Sequence, residues 1–312
     1  MAELINDLAN ATGIDPLRVQ KVVQSAPRRY RDMVKDKPGG GERLISVPTQ
    51  ELKALQQALI TILTPRVTVH PAATAYIKGA SIKDNAAAHA GAHAIRNFDF
   101  EDFFPSLTAA DWQRVCRQKD IFDDEDDLEV STLILFKQCR TTSELQLAIG
   151  APSSPMLSNM IMVPFDEAVA QMAASTGITY TRYVDDLTFS ASSPELLAGV
   201  DLVISTALLA GQYANLRIND RKTRAAAKPE ARLVTGLNLA DNGTVTLGAE
   251  RTATILTEID GATRRPLTLR ETMRINGLIA FANQIEPDFI VRLIDRYGAE
   301  TVARIRGTSK AA

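Results

Sequence analysis

Residues 181–189, TRYVDDLTF, place two adjacent carboxylates inside a run that otherwise favours β-structure. Neighbouring Asp side chains repel each other and are poor strand formers. Between "GITYTRYV" and "LTFSAS" the pair Asp185-Asp186 is best accommodated at the tip of a β-hairpin. Asp123-Asp124 and Asp126-Asp127 lack such flanks and stand in an acidic stretch, "DIFDDEDDLE", that reads as a solvated loop. A hairpin tip holds two carboxylates close together if a cation neutralises them, and hard divalent cations take oxygen ligands. A third carboxylate on an adjacent strand would complete a two-metal site acting on a phosphoryl group, with ions about 3.5–4 Å apart. Asp99, near the end of the alternating stretch "AIRNFDF" (94–100), is the natural candidate.

Composition excludes several other chemistries. Two cysteines, Cys116 and Cys139, and three histidines give neither a disulfide framework nor a zinc site, and suit a reducing cytoplasm. No run of about 18 apolar residues is present, so no membrane span is expected, and "MAELINDLAN" lacks the pattern of a signal peptide. The net charge of −2 does not suggest a nucleic-acid binder, but it is unevenly spread. Residues 120–129 hold seven of the 37 acidic residues; the remaining 30 face 35 basic ones, a balance of +5. Positive clusters lie at Arg28, Arg29, Arg31, Lys35 and Lys37, and at Arg217, Arg221, Lys222, Arg224, Lys228 and Arg232. Solvated helix faces and loops are the commoner explanation of such clusters, and charge alone does not decide.

Along the chain, residues 2–11 and 16–25 read as short amphipathic helices. "DKPGGGERLISVP" gives a Gly-rich turn and a strand, Arg43–Val47, ended by Pro48. Residues 50–63 form a helix with Leu52, Leu55, Leu59 and Leu63 on one face. Further helices are expected at 131–139 and at 195–214, and "GAPSSPMLSNM" (150–160) is turn chemistry leading into a helix through about 173. "RLVTGLNLADNGTVTLG" reads as a hairpin turning at Asn242-Gly243. Residues 252–306 are mostly helical, with breaks near Arg264-Arg265-Pro266 and Pro287. Interspersed helices and strands, with late antiparallel hairpins, predict an α+β fold and a largely antiparallel sheet.

Four motifs in a fixed order then sharpen the reading. "FDFEDFFPSL" (98–107), "GAPSSPMLSN" (150–159), "YVDD" (183–186) and "INDRKT" (218–223) resemble successive motifs of reverse transcriptases. The resemblance spans roughly residues 28–250. It implies a right-hand polymerase, with fingers and palm interleaved over 1–240 and a mostly helical, RNA-binding thumb over 241–312. Position by position, Asp99 and Asp185 correspond to the principal metal ligands and Asp186 to the third carboxylate. Phe100, beside Asp99, joins both the metal set and the nucleotide set. Two Mg²⁺ ions are implied, with Mn²⁺ as a substitute. Phe104 falls where the family places an aromatic steric gate against the ribose 2′-hydroxyl. Arg43, in "GERLISVP", resembles the fingers arginine that contacts the triphosphate of the incoming dNTP, a contact suited to its planar fork. Lys222 matches the lysine proposed to protonate the departing pyrophosphate. Gly150, Ala151 and Pro152 would bring backbone close to the incoming base and template. One departure stands out: Ile149 occupies a position where the family commonly has Gln, so that residue's role does not carry over.

Two further stretches resemble retron reverse transcriptases in particular. Asn85-Ala86-x-x-His89 precedes the first catalytic motif, and Val234-Thr235-Gly236 follows the Lys222 motif. The resemblance assigns these residues to template and RNA binding. It implies an enzyme that copies a cognate noncoding RNA into multicopy single-stranded DNA, primed from the 2′-hydroxyl of a branching guanosine. A separate effector protein, a part in anti-phage defence and a host RNase H for template removal are further implications. The alternatives are an abortive-infection or group II intron-like reverse transcriptase, and a noncatalytic RNA-binding scaffold that restrains an effector.

Overall fold

Helices α1 (Glu3–Thr12) and α2 (Pro16–Ser25) lead into the hairpin of β1 (Tyr30–Asp36) and β2 (Glu42–Pro48), then α3 (Gln50–Leu63) and α4 (Ile82–Ala87). Strand β3 (Ala94–Asp99) is followed by α5 (Phe103–Ser106), α6 (Ala109–Gln118) and α7 (Glu125–Leu135). A short hairpin, β4 (Lys137–Gln138) and β5 (Leu145–Gln146), precedes α8 (Ser154–Ile161) and α9 (Val163–Ser175). Next come β6 (Thr179–Tyr183), β7 (Asp186–Ala191), α10 (Val200–Ala210) and β8 (Arg224–Ala227). The chain closes with a meander, β9 (Arg232–Val234), β10 (Leu237–Leu239) and β11 (Val245–Thr246), and with four helices. These are α11 (Ala249–Thr263), α12 (Leu269–Ile285), α13 (Phe289–Tyr297) and α14 (Ala299–Ile305). This computed structural model describes residues 2–36 and 40–307; Lys37 and part of the Gly-rich turn expected before β2 lie outside the described residues. Among those described, no helix is long and apolar enough to cross a membrane.

The chain divides into two units. The first comprises residues 1–79, 96–189 and 195–224; the second comprises 80–95, 190–194 and 225–312. The boundary expected at 240/241 thus falls inside the second unit, which gathers two earlier segments as well. The four-stranded sheet has the order β6-β7-β3-β8, which puts the end of β3 beside the start of β7.

In the first unit α3 buries Leu52, Leu55, Leu59 and Leu63 completely, as its apolar spacing predicts. Each such side chain contributes roughly 1.5–3 kcal/mol of transfer free energy. The acidic stretch is not a plain solvated loop. Asp124 caps α7, its side chain accepting from the Asp126 N–H, and Glu125, Asp126 and Asp127 fill the first turn. Negative charge there meets the positive end of the helix dipole, which turns a loop-like composition into a helix start. Asp127 also accepts from the Leu4 N–H at the head of α1 (3.0 Å). The helix expected at 131–139 is therefore the second half of α7, and Phe136 ends it in an extended conformation. The helix expected at 195–214 is shorter, α10, preceded by a 3₁₀ turn at Glu195–Leu197.

The second unit is centred on Val234, Leu237, Ile255, Ile259, Ile275, Ile279, Phe289 and Leu293, all buried. Its β-structure is a three-stranded meander rather than one hairpin. Thr235 (φ 48°) and Gly236 (φ 75°) make the first turn, which the sequence reading treated as strand. Two consecutive left-handed residues are what a two-residue hairpin loop needs, and Gly236 supplies one without penalty. The second turn is the expected one: Asn242 Oδ1 accepts from Thr244 N–H (3.1 Å) and Gly243 has φ 81°.

Candidate active site

The β6–β7 hairpin turns at Val184 and Asp185, so Asp186 is the first residue of β7. Strand β3 runs beside β7 and ends at Asp99. The peptide after Asp185 is tied to the end of β3: Phe100 N–H donates to the Asp185 carbonyl (3.1 Å). One carboxylate oxygen from each of Asp99, Asp185 and Asp186 lies within 4.8 Å of the others. The Asp185-Asp186 pair of the hairpin and Asp99 at the end of the neighbouring strand therefore meet at one point.

Their electrostatics follow from that crowding. Burial, then the Asp185 charge and a hydrogen bond with Asp99, pushes the Asp186 carboxyl up to about 7. Burial and the Asp99 charge raise Asp185 as well. Half-buried like charges hold on to protons because burial and mutual repulsion outweigh the nearby Lys222 and Arg43 charges. The same field favours a cation, and an all-carboxylate donor set is what a hard divalent ion takes. The donor set thus fits the implied metals. One protein cation is already present: Lys222 Nζ donates to Asp99 Oδ1 at 2.7 Å. Its ammonium is held above the usual lysine range by that bond and by the neighbouring carboxylates.

Backbone pairing brings Lys222 there. Glu101 N–H donates to the Arg217 carbonyl (2.9 Å) and Asn219 N–H to the Asp99 carbonyl (2.7 Å), so "INDRKT" runs along the end of β3 before turning. Phe100 is buried and stacks on Phe103 (5.6 Å between centroids). Phe104 is half-exposed beside Phe103, so of the two neighbouring rings it is the one a substrate can meet. Arg43 is exposed on β2 and acts on Asp185 through its charge.

The loop before α8 is locked to β2. Ser46 N–H donates to the Ile149 carbonyl (2.7 Å). Gly150 has φ 111°, and a Cβ there would come 2.9 Å from Ile45 Cγ2 and 3.1 Å from the Ser46 carbonyl oxygen. Only glycine fits that approach without a shift. Ala151 is buried, Pro152 half-buried, and Ser154 Oγ donates to the Ala148 carbonyl (2.8 Å).

The residues assigned to RNA divide in two, all of them within the second unit. Asn85, His89 and Val234 are buried. His89 Nδ1 lies 2.7 Å from Ser190 Oγ, and burial holds its imidazole down at about 4. These three side chains are enclosed by the second unit's own packing rather than displayed on its surface. Thr235 is half-buried, its hydroxyl donating to the carbonyls of Val234 (2.8 Å) and Ile82 (3.3 Å), and Gly236 is exposed.

Sequence reasoning missed the support beneath the hairpin. Arg182 and Asp166 are wholly buried and pair at 2.6 Å, with Tyr180 and Asn159 joined to them. The available signals were a charged residue in a buried strand and an Asp in the apolar start of α9, "VPFDEAVA". Neither signal identifies its partner.

A family model for reverse transcriptase (RNA-dependent DNA polymerase) matches residues 35–239. The retron Ec83 reverse transcriptase of Escherichia coli is 35% identical over 272 residues, 86% of this chain and 87% of that protein. The retron Ec86 enzyme of the same species is 34% identical, covering 79% of this chain and 74% of its own. Retron Ec73 reverse transcriptase, also from Escherichia coli, is 28% identical across 88% of each. The chain belongs to the reverse transcriptases, and within them to the retron type. It is an RNA-directed DNA polymerase of mixed helix and antiparallel sheet.

Proposed function

We propose that this polymerase copies part of a cognate structured noncoding RNA into multicopy single-stranded DNA, starting from the 2′-hydroxyl of a branching guanosine. The observation that carries the reading is the meeting of Asp99, Asp185 and Asp186 within 4.8 Å, with Lys222 on Asp99, in a chain of retron type. Two Mg²⁺ ions, replaceable by Mn²⁺, would be held by the three carboxylates and by Phe100 at its main chain, and supply Lewis-acid activation of the attacking hydroxyl and charge stabilisation at the leaving pyrophosphate.

The protein's own groups do the rest. Arg43 clamps the dNTP triphosphate with its planar donors. Gly150, Ala151 and Pro152 line the approach of the incoming base; Phe100, packed on Phe103, backs the nucleotide site. Phe104 excludes a ribose 2′-hydroxyl. Lys222, a charged ammonium held on Asp99, delivers a proton to the departing pyrophosphate oxygen. Ile149 offers no side-chain hydrogen bond to the nucleotide, and its carbonyl is taken by Ser46.

Residues 1–240 act as fingers and palm and 241–312 as the RNA-binding thumb. Thr235 and Gly236, on an accessible turn, meet RNA backbone and sugar; Asn85, His89 and Val234 hold the frame for that turn. The enzyme works in the cytoplasm with a host RNase H and a separate effector protein, in anti-phage defence. Incubating the protein with transcripts of the region upstream of its gene, dNTPs and Mg²⁺ tests the proposal. The expected product is DNA joined to RNA by a 2′,5′ bond that a debranching enzyme releases. DNA made only from added primers, or without a template, would count against it.

A further inference from the structure

The turn that carries the catalytic carboxylates has an unusual residue at its corner. Val184 sits at φ 61°, a left-handed conformation that β-branched side chains avoid. Glycine or asparagine would hold such a corner by preference; here tertiary contacts must hold it.

The Arg182 side chain reaches the strained peptide. Arg182 Nη1 donates to the Val184 carbonyl at 3.0 Å and to Asn159 Oδ1 at 3.1 Å. The rest of the guanidinium is fixed by Asp166, with Nε to Oδ1 at 2.9 Å and Nη2 to Oδ2 at 2.6 Å. Asp166 in turn accepts from the Tyr180 hydroxyl (2.8 Å), and Asn159 donates from Nδ2 to the Ala75 carbonyl (2.8 Å). The arginine backbone is clamped too, its N–H donating to the Ala72 carbonyl (2.7 Å) and its carbonyl accepting from the Thr74 N–H (2.9 Å). With both Arg182 and Asp166 at zero exposure, water does not compete for the pairing of guanidinium and carboxylate.

The consequence concerns Asp185. Its preceding peptide carries the Val184 carbonyl held by Arg182, and its following peptide carries the Asp185 carbonyl held by Phe100 N–H. Pinning the peptide planes on both sides of a residue fixes the direction of its Cα–Cβ bond. We infer that Arg182, locked by Asp166 and Asn159, is a positioning residue that maintains the left-handed corner at Val184 and thereby aims Asp185 and Asp186 at Asp99. This rests on the assignment of those three carboxylates as the catalytic centre.

Replacing the pair by volume-matched apolar residues, Arg182→Met with Asp166→Leu, keeps the core filled while removing the hold on Val184. Arg182→Lys is the milder variant, keeping a charge beside Asp166 without the planar fork. Melting temperature, steady-state kinetics on a primed RNA template and Mn²⁺ binding followed by electron paramagnetic resonance would be measured for each. In whichever variant folds, kcat should fall about 100-fold, the scale of a misplacement near 1 Å, with KM for dNTP within about threefold because Arg43 is untouched. Mn²⁺ binding should weaken about tenfold, which counts a single lost ligand orientation rather than a lost fold. Adding Val184→Gly should recover about tenfold in kcat, since glycine adopts the corner without help. A folded variant with kcat near wild type overturns the inference. So does a loss of activity that follows melting temperature alone and that Val184→Gly does not relieve. Asp185→Asn, assayed alongside, separates the two levels: if it stays active, the catalytic assignment itself has failed, whatever Arg182 does.

Discussion

At the scale of residues, the site trades stability for charge density. Three carboxylates share a space in which burial and mutual repulsion push Asp186 up to about 7. Asp185→Asn or Asp186→Asn should therefore lower DNA synthesis at least about 100-fold, because each removes a ligand charge. The same changes should leave the melting temperature equal or higher, since a repelling carboxylate is gone. Primer extension beside calorimetry checks both halves, and full activity in either folded variant would refute the site. Phe104, half-exposed beside the buried Phe103, makes a second case. Phe104→Ala or Phe104→Val should raise ribonucleotide use relative to deoxynucleotide by about tenfold or more, the range that one steric contact commonly supplies. The ratio of kcat/KM for the two nucleotide types measures it; an unchanged ratio would leave Phe104 a packing residue.

At the scale of elements, one glycine lets the loop before α8 close on β2. Gly150→Ala must set a Cβ 2.9 Å from Ile45 Cγ2 at φ 111°, so either β2 or the loop moves. A strained backbone of this kind costs about 1–3 kcal/mol. Reduced stability in urea, with a raised KM for dNTP, is the expected pair of effects; a variant matching wild type in both would show that the close approach is dispensable. Helix α7 gives a purely structural counterpart. Asp124→Ala removes the acceptor for the Asp126 N–H and should cost about 1 kcal/mol, with kcat per folded molecule unchanged. Local chemistry of this sort is partly legible in sequence: Asp124 followed by three acids is a helix start, although its composition alone suggested a loop. The Val-Thr-Gly turn was equally hidden, because Thr235 takes φ 48° where its β-propensity predicts strand.

At the scale of the whole molecule, the second unit contains a built-in acid sensitivity. His89 is buried against Ser190 and its imidazole is held at about 4, below the ordinary 6.5, by burial. Between those values the unfolded chain binds a proton that the folded chain refuses, so stability present above pH 6.5 is lost as the pH falls toward 4. The gap is worth roughly 3 kcal/mol at most. Denaturant midpoints of wild type and His89→Gln, compared between pH 7.5 and pH 5, should converge as pH falls; parallel curves would contradict the assignment. The amino-acid sequence by itself determined the ordered motifs, the hairpin at Asp185-Asp186, the apolar face of residues 50–63 and the family, because each is written in neighbouring residues or fixed spacing. Only the tertiary structure decided that Lys222 rests on Asp99, that Asn85 and His89 face inward, and that Arg182 finds Asp166 and the Val184 carbonyl. Such pairings join residues whose separation along the chain carries no period. A buried charge selects its partner by geometry and desolvation once the elements have packed, and neither is encoded in a local pattern.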